Sequence, residues 1–275
     1  MMEFIAGGLS GNGNLFAVGT DGHRNCVRWT DGSIQEWVGS PVLCACSFRD
    51  GAICITSHGE IWRITNGEAT QQNRIPGNLT VYGLTAINNE RVIGVGTEGL
   101  FVEIDIHNGS SVLRKASEFG FRKPGRDILN VFKTKRGLVA IGKKELVYNF
   151  EEYPDPKGSS SSTGRESFFF YGTEFEGSLW LSGLLGRENI LASFSEETNA
   201  LYYHQIPDLA RGRAACISSF RDQLVLANEQ VFLGRPGNWS LIKTNAGERI
   251  VAIINRGIQI PMLLSSSGNI YALES

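Results

Sequence analysis

The sequence has no apolar run approaching the roughly 18 residues that a membrane-spanning helix needs, so no membrane segment is expected. It has almost no charge imbalance: 26 Lys and Arg stand against 28 Asp and Glu, a formal net charge of −2. A chain this close to neutral has no overall field to gather nucleic acid or an anionic membrane. Its opening, MMEFIAGGLSGNG, lacks a basic segment and a sustained apolar stretch, so no signal peptide is expected. No stretch keeps a 3.6-residue apolar period over three turns, which excludes a helical architecture. There is no GxSxG, HExxH, phosphate-loop or dinucleotide fingerprint either.

Cysteine is sparse and odd in number: Cys26, Cys44, Cys46, Cys54 and Cys216. No disulfide framework can be drawn from these, and free thiols point to a reducing, cytoplasmic compartment. Cys44 and Cys46 are separated by one residue where zinc sites use two to four, and read as small buried hydrophobes. The four histidines, His23, His58, His107 and His204, fall at unrelated places in the repeat described below and read as solvated turn residues.

What is abundant is glycine, 33 of 275 residues or 12%, against a usual value of about 7%. Hydrophobic residues make up 41% and charged residues 20%, a globular balance. The chain reads as short apolar runs separated by Gly, Asn, Asp and Ser, the pattern of an all-β protein. The clearest unit is VLCACSFRDGAICITSHGEIWRITNGEATQQ, four strands joined by tight turns. Its second strand recurs as LFAVGTDG, AICITSHG, VIGVGTEG, LVAIGKKE, LWLSGLLG, LVLANEQ and MLLSSSG. The small residues closing these runs are Gly19, Thr56, Gly96, Gly142, Ser182, Ala227 and Ser265, at intervals of 37, 40, 46, 40, 45 and 38. An apolar run precedes each. A third strand follows six of them at once, and the fifth, ENILASF, after a longer turn.

Seven units of about 40 residues, each of four antiparallel strands, predict a seven-bladed β-propeller. Blades are expected to start near residues 3, 42, 82, 128, 168, 214 and 250, so that residues 1–275 form one domain. The last unit ends after its third strand while the chain begins on a first strand. Blade seven is therefore expected to be three-stranded, or to have its edge covered by a terminus. YPDPKGSSSSTG has the composition of a linker, yet the spacing runs through it from Gly142 to Ser182. It occupies the place of the fourth strand of blade four: either it pairs poorly there, or it leaves ELVYNF as an edge to which a partner strand could add. SFFFY is then the inner strand of blade five.

The cadence of FAVGTDGHRNCVRWTDG and ICITSHGEIWRITNG resembles bacterial propellers of the two-component-regulator and photosystem-assembly kind. The Gly-His and Trp-Asp pairs of WD repeats, the Gly-Gly of kelch repeats and the Asp-box of sialidases are missing. The resemblance implies the fold, and the fold does not assign a function.

A catalytic propeller would gather Asp, Glu, Asn or His at the mouth of its central channel. The inner strands here offer only Asn130 and Asn255, so no catalytic residue, metal ligand or cofactor is assigned. Trp29, Trp37, Trp62, Trp180 and Trp239 occupy five different places in the repeat, which argues against a sugar platform repeated in every blade. Candidate partner-binding residues lie in two long basic crossovers between blades. Phe119, Phe121, Arg122, Lys123 and Arg126 are in one, Arg211 and Arg213 in the other, and Arg187 is in the fifth second-to-third-strand turn. Arginine beside aromatic residues is typical of protein interfaces. Glu151, Glu152 and Tyr153 offer an acidic contrast beside the serine tract. The reading is a non-enzymatic, monomeric, protein-binding propeller, with a bacterial immunity protein that neutralises a cognate toxin as its sub-class. The alternatives are a small-ligand binder, hydrolase or lyase using the channel mouth, and a carbohydrate-binding propeller.

Overall fold

A strand buried on both faces should be apolar along its whole length rather than alternating. The second strands obey this: Leu15–Thr20, Gly51–Thr56, Arg91–Gly96 and Gly137–Gly142 are buried almost throughout. In a computed structural model of the chain, residues 2–65, 67–120, 125–135, 137–144, 146–150, 153, 160–161, 166–195, 197–198, 200–242, 248–256 and 259–273 are described. They form a seven-bladed β-propeller of antiparallel sheets, six four-stranded and the last three-stranded. The blades span 3–38, 42–74, 81–115, 128–161, 167–204, 216–242 and 250–272.

The core is not one mass but seven slabs, one at each seam between neighbouring blades. Strand alternation divides each blade's side chains between its two seams. In Leu15–Thr20, Leu15 and Ala17 pack against blade seven, while Phe16 and Val18 pack against blade two. Trp37 and Trp62 meet across the seam of blades one and two, ring centroids 5.4 Å apart.

Among the described residues no strand is exchanged between the first and last blades. The ring closes by packing. Phe4, 1% exposed, sits in the slab formed with Val251, Ile254 and Leu264. Its N–H donates to the Ser266 carbonyl at 2.9 Å. Gly268, at φ +87°, leaves no room for a Cβ beneath the Phe4 ring. Arg249 pairs with Glu3 at 3.3 Å on the rim of the same seam.

Three local points follow from the structure. First, of the two outcomes open for the serine tract, it pairs: Ser160 and Ser161 form a short fourth strand of blade four against Tyr148 and Val147. Leu146–Phe150 is covered at those two residues, and its side chains are all buried. Second, the small residue closing the second strand of blade five is Gly183, not Ser182. Gly183 opposes Phe169 as Gly142 opposes Ile128, and a Cβ on either would overlap the preceding carbonyl. Third, the turn carrying Arg187 is not long. Ser178–Leu185 and Glu188–Ser195 run to eight residues each, with only Gly186 and Arg187 between them.

Candidate functional site

Each inner strand starts at the end of the ring where the crossovers arrive, and six of the seven open with the same irregularity. Pairing skips one residue near the start: Ile5, Leu43, Tyr82, Leu129, Phe170 and Val251 have no partner on the second strand. A β-bulge re-aims the extra side chain out of the pleat. All six line one cavity of about 320 Å³ at the channel mouth, forming an apolar collar. Leu43 and Tyr82 are 38% and 37% exposed. Phe170 stacks on Phe168 at 6.3 Å.

Polar groups near the collar are engaged between neighbouring strands. Asn130 donates from Nδ2 to the Phe170 carbonyl at 2.7 Å, and its Oδ1 accepts the Val131 N–H at 2.8 Å. Cys44 donates weakly to the Val81 carbonyl; toward the other end of the inner strands Asn255 donates to the Ser219 carbonyl. The two asparagines read as channel candidates thus link blades four to five and seven to six. Burial pushes the Cys44 thiol well up, and the neighbouring Cys216 thiol together with burial pushes the Tyr171 phenol up. Among the described residues no carboxylate or histidine lines this cavity. Among the described residues there is no group of three His, Cys, Asp or Glu able to hold a metal.

The crossover between blades five and six is held by asparagines. Asn189 donates to the Ala210 carbonyl at 2.9 Å and accepts the Ala215 N–H at 3.0 Å; Asn228 donates to the same carbonyl at 3.1 Å. Asn25, opposite Thr20 on the third strand of blade one, clamps Ser40 and Val42 in the same way. The sequence reading did not single these out, although Asn25 and Asn189 follow their closing glycines at matching register.

This clamp brings three predicted residues together. Gly212 donates to the Arg187 carbonyl at 2.6 Å, setting Arg187 beside Arg211 and Arg213. All three are exposed. Arg211 pairs with Glu188 at 3.3 Å and Arg213 with Glu229 at 2.9 Å.

The other predicted residues do not join them. Phe119 is 6% exposed, contrary to the expectation of an exposed aromatic. A 3-10 turn over Ala116–Phe119 folds its ring into the seam of blades three and four, against Phe101, Phe150 and Tyr153. Tyr153 is half-buried there, its hydroxyl has no hydrogen-bond partner among the described residues, and burial pushes it up to about 12. Arg126 lies within electrostatic reach of Tyr148 on the blade-four side. Phe121, Arg122, Lys123, Glu151 and Glu152 lie outside the described residues.

The tryptophans take no common position: Trp29, Trp37 and Trp180 are buried and Trp62 and Trp239 partly so, all in seams. His204 is not a turn residue. It ends the fourth strand of blade five, bonds Ser193 Oγ at 2.8 Å and lies against Trp180.

Known structures place this architecture among β-propellers. No family model matches the chain, and no curated protein matches its sequence. A catalytically inactive His-to-Ala variant of virginiamycin B lyase from Staphylococcus aureus, solved with quinupristin, superposes with a TM-score of 0.76 at 13% identity. The match covers 98% of this chain and 94% of that one. The extracellular domain of a putative one-component system from B. thetaiotaomicron matches at TM-score 0.69 and 11% identity, over all of this chain and 38% of that one. BamB from Moraxella catarrhalis matches at 0.63 and 13%, over 96% and 80%. At such identities the likeness is one of fold, and the neighbours include a lyase as well as proteins not named as enzymes. None of the four histidines of this chain lines the mouth.

Proposed function

We propose that this chain is a non-enzymatic, protein-binding propeller whose docking face is the crossover end of the ring. The observation that carries the reading is the collar: six bulged apolar side chains around a mouth with no carboxylate or histidine among the described residues. Such a surface can seat apolar side chains of a partner and offers no acid or base for turnover. Exposed Leu185 beside Arg187, Arg211 and Arg213 extends it with the residue types that anchor interfaces. Within this class we place it as an immunity protein that occupies a toxin. A rigid ring with a binding mouth suits that task, and five free cysteines suit the cytoplasm.

The overall likeness to a lyase favours the second reading, a small-ligand site or enzyme at the same mouth. It would need polar groups that the collar does not supply.

The test is capture of a partner on immobilised protein, with Leu43→Asp and Tyr82→Asp as controls. Both residues are more than a third exposed, so either change should leave folding nearly untouched, within about 0.5 kcal/mol. A partner held by the native protein and lost by both variants is the expected result. Recovery of no partner at micromolar concentration, or equal recovery with the variants, refutes the reading. Rescue of growth against a candidate toxin by the native protein, and not by the variants, tests the finer assignment.

A further inference from the structure

Blade six is the one station of the collar without a bulge. Cys216 opposes Ala227 and Ile217 opposes Leu226 in unbroken register. A second cavity of about 260 Å³ adjoins this station, and Phe170 and Tyr171 line both it and the mouth. The remaining wall includes Leu184, Asn228, Arg213 and Arg249. The arginines flank blade six: Arg213 precedes its inner strand and Arg249 precedes that of blade seven. Where six blades place an apolar side chain, two guanidinium groups stand instead.

Among the described residues no acidic side chain lines this cavity. Each arginine touches one carboxylate outside it: Arg213 Nη1 meets Glu229 at 2.9 Å, and Arg249 Nη1 meets Glu3 at 3.3 Å. A guanidinium carries five N–H donors, so one such contact leaves others to serve a ligand. The positive charge of Arg249 is felt across the cavity, where it opposes the upward shifts of Tyr171 and Cys216.

We infer that the side cavity is a carboxylate subsite: it takes a ligand whose carboxylate lies between Arg213 and Arg249 and whose apolar or aromatic body rests on the collar beside Phe170. The arginine fork matches a carboxylate in shape and charge. At about 260 Å³ the side cavity is smaller than the ~300–1,000 Å³ of a typical ligand site, but it shares Phe170 and Tyr171 with the mouth beside it. The carboxylate can belong to a free acid or to the C-terminus of a peptide. The inference rests on the mouth being the binding face, not on the partner being a toxin.

The experiment is titration calorimetry on the intact chain with N-acetylphenylalanine and its amide, and with a short peptide ending in phenylalanine as acid and as amide. Each acid is expected to bind about tenfold or more tightly than its amide, the size of a charge-assisted hydrogen bond. Arg213→Gln and Arg249→Gln should each abolish that preference. Arg249 also contacts Glu3 at the closing seam, so if its variant melts early the Arg213 variant decides. Binding of the peptide acid alone assigns the site to chain termini, and binding of both acids assigns it to the carboxylate itself. Equal binding of acid and amide, no binding at roughly 10 mM, or an unchanged preference in both variants overturns the inference. An acid preference lost on mutation, with no protein partner captured, leaves this site standing while the protein-binding reading falls.

Discussion

If packing is the main force that holds the ring shut, the closing seam should be as strong as any other, and Phe4 is where to test this. Phe4 opposes Gly19 and Phe169 opposes Gly183, so the two phenylalanines hold the same register position in blades one and five. Phe4 is 1% exposed and Phe169 0%. Truncating a fully buried Phe to Ala loses the transfer free energy and leaves a cavity, together about 3–5 kcal/mol. At Phe4 the guanidinium of Arg28, 5.1 Å above the ring, adds a contribution of about 0.5 kcal/mol. For a chain of this length that is a fall in Tm of roughly 6–10 °C. Phe4→Ala and Phe169→Ala should therefore cost the same by denaturant unfolding, to within about 1 kcal/mol. They should differ in hydrogen exchange. Phe4→Ala should lower protection first in 3–38 and 250–272, the blades that no strand ties together. A cost below about 1 kcal/mol for Phe4→Ala, or protection lost evenly around the ring, would refute closure by packing.

A Cβ at Gly142 would overlap the Asp127 carbonyl and lie 2.9 Å from the Ile128 Cα, both backbone. Gly142→Ala should accordingly cost about 1–3 kcal/mol in equilibrium unfolding, against little for alanine at the solvent-facing Gly125. Burial pushes Cys46 and Cys216 up to about 12, so both stay protonated at pH 8. Thiol reagents should label them slowly in the native protein and rapidly in denaturant; fast native labelling would contradict the burial. Asp127 is lowered: burial opposes ionisation, but the Lys143 ammonium at 2.5 Å and the Glu98 N–H outweigh it. Its contribution is present above the ordinary carboxylate pKa of about 3.9 and is lost as pH falls through the lower folded value. Asp127→Asn should cost up to about 1 kcal/mol at pH 7, because the pair is half-exposed, and nothing near pH 2. A loss that persists undiminished in acid would refute the pairing.

The seven-fold period was legible because every second strand is buried on both faces, which forces an apolar run followed by a small residue. It survived the serine tract because spacing, not composition, carries register: Ser160 and Ser161 pair as a strand despite poor propensity. The same signal misplaced one closing residue, since Ser182 and Gly183 are both small and only the backbone approach tells them apart. The collar was invisible for a related reason. Ile5, Leu43 or Tyr82 is one more apolar letter in an apolar run, and a bulge has no letter of its own. Phe119 misled because a loop phenylalanine beside arginines looks like an exposed anchor. Its burial depends on Phe101 and Phe150, distant in sequence and on two different blades.

The bulges have a consequence for how this surface can change over time. Leu43, Tyr82, Leu129 and Phe170 stand outside the strand pairing and belong to none of the slabs between blades, so replacing them leaves those slabs as they were; Ile5 and Val251 also pack in the slabs. At five of the six collar positions the side chain keeps measurable exposure, Val251 alone being buried. The scaffold and the recognition surface can then drift separately. Relatives that keep the same ring could present entirely different mouths, and the preference of one such protein for its partner could be rewritten at a handful of codons without renegotiating the fold.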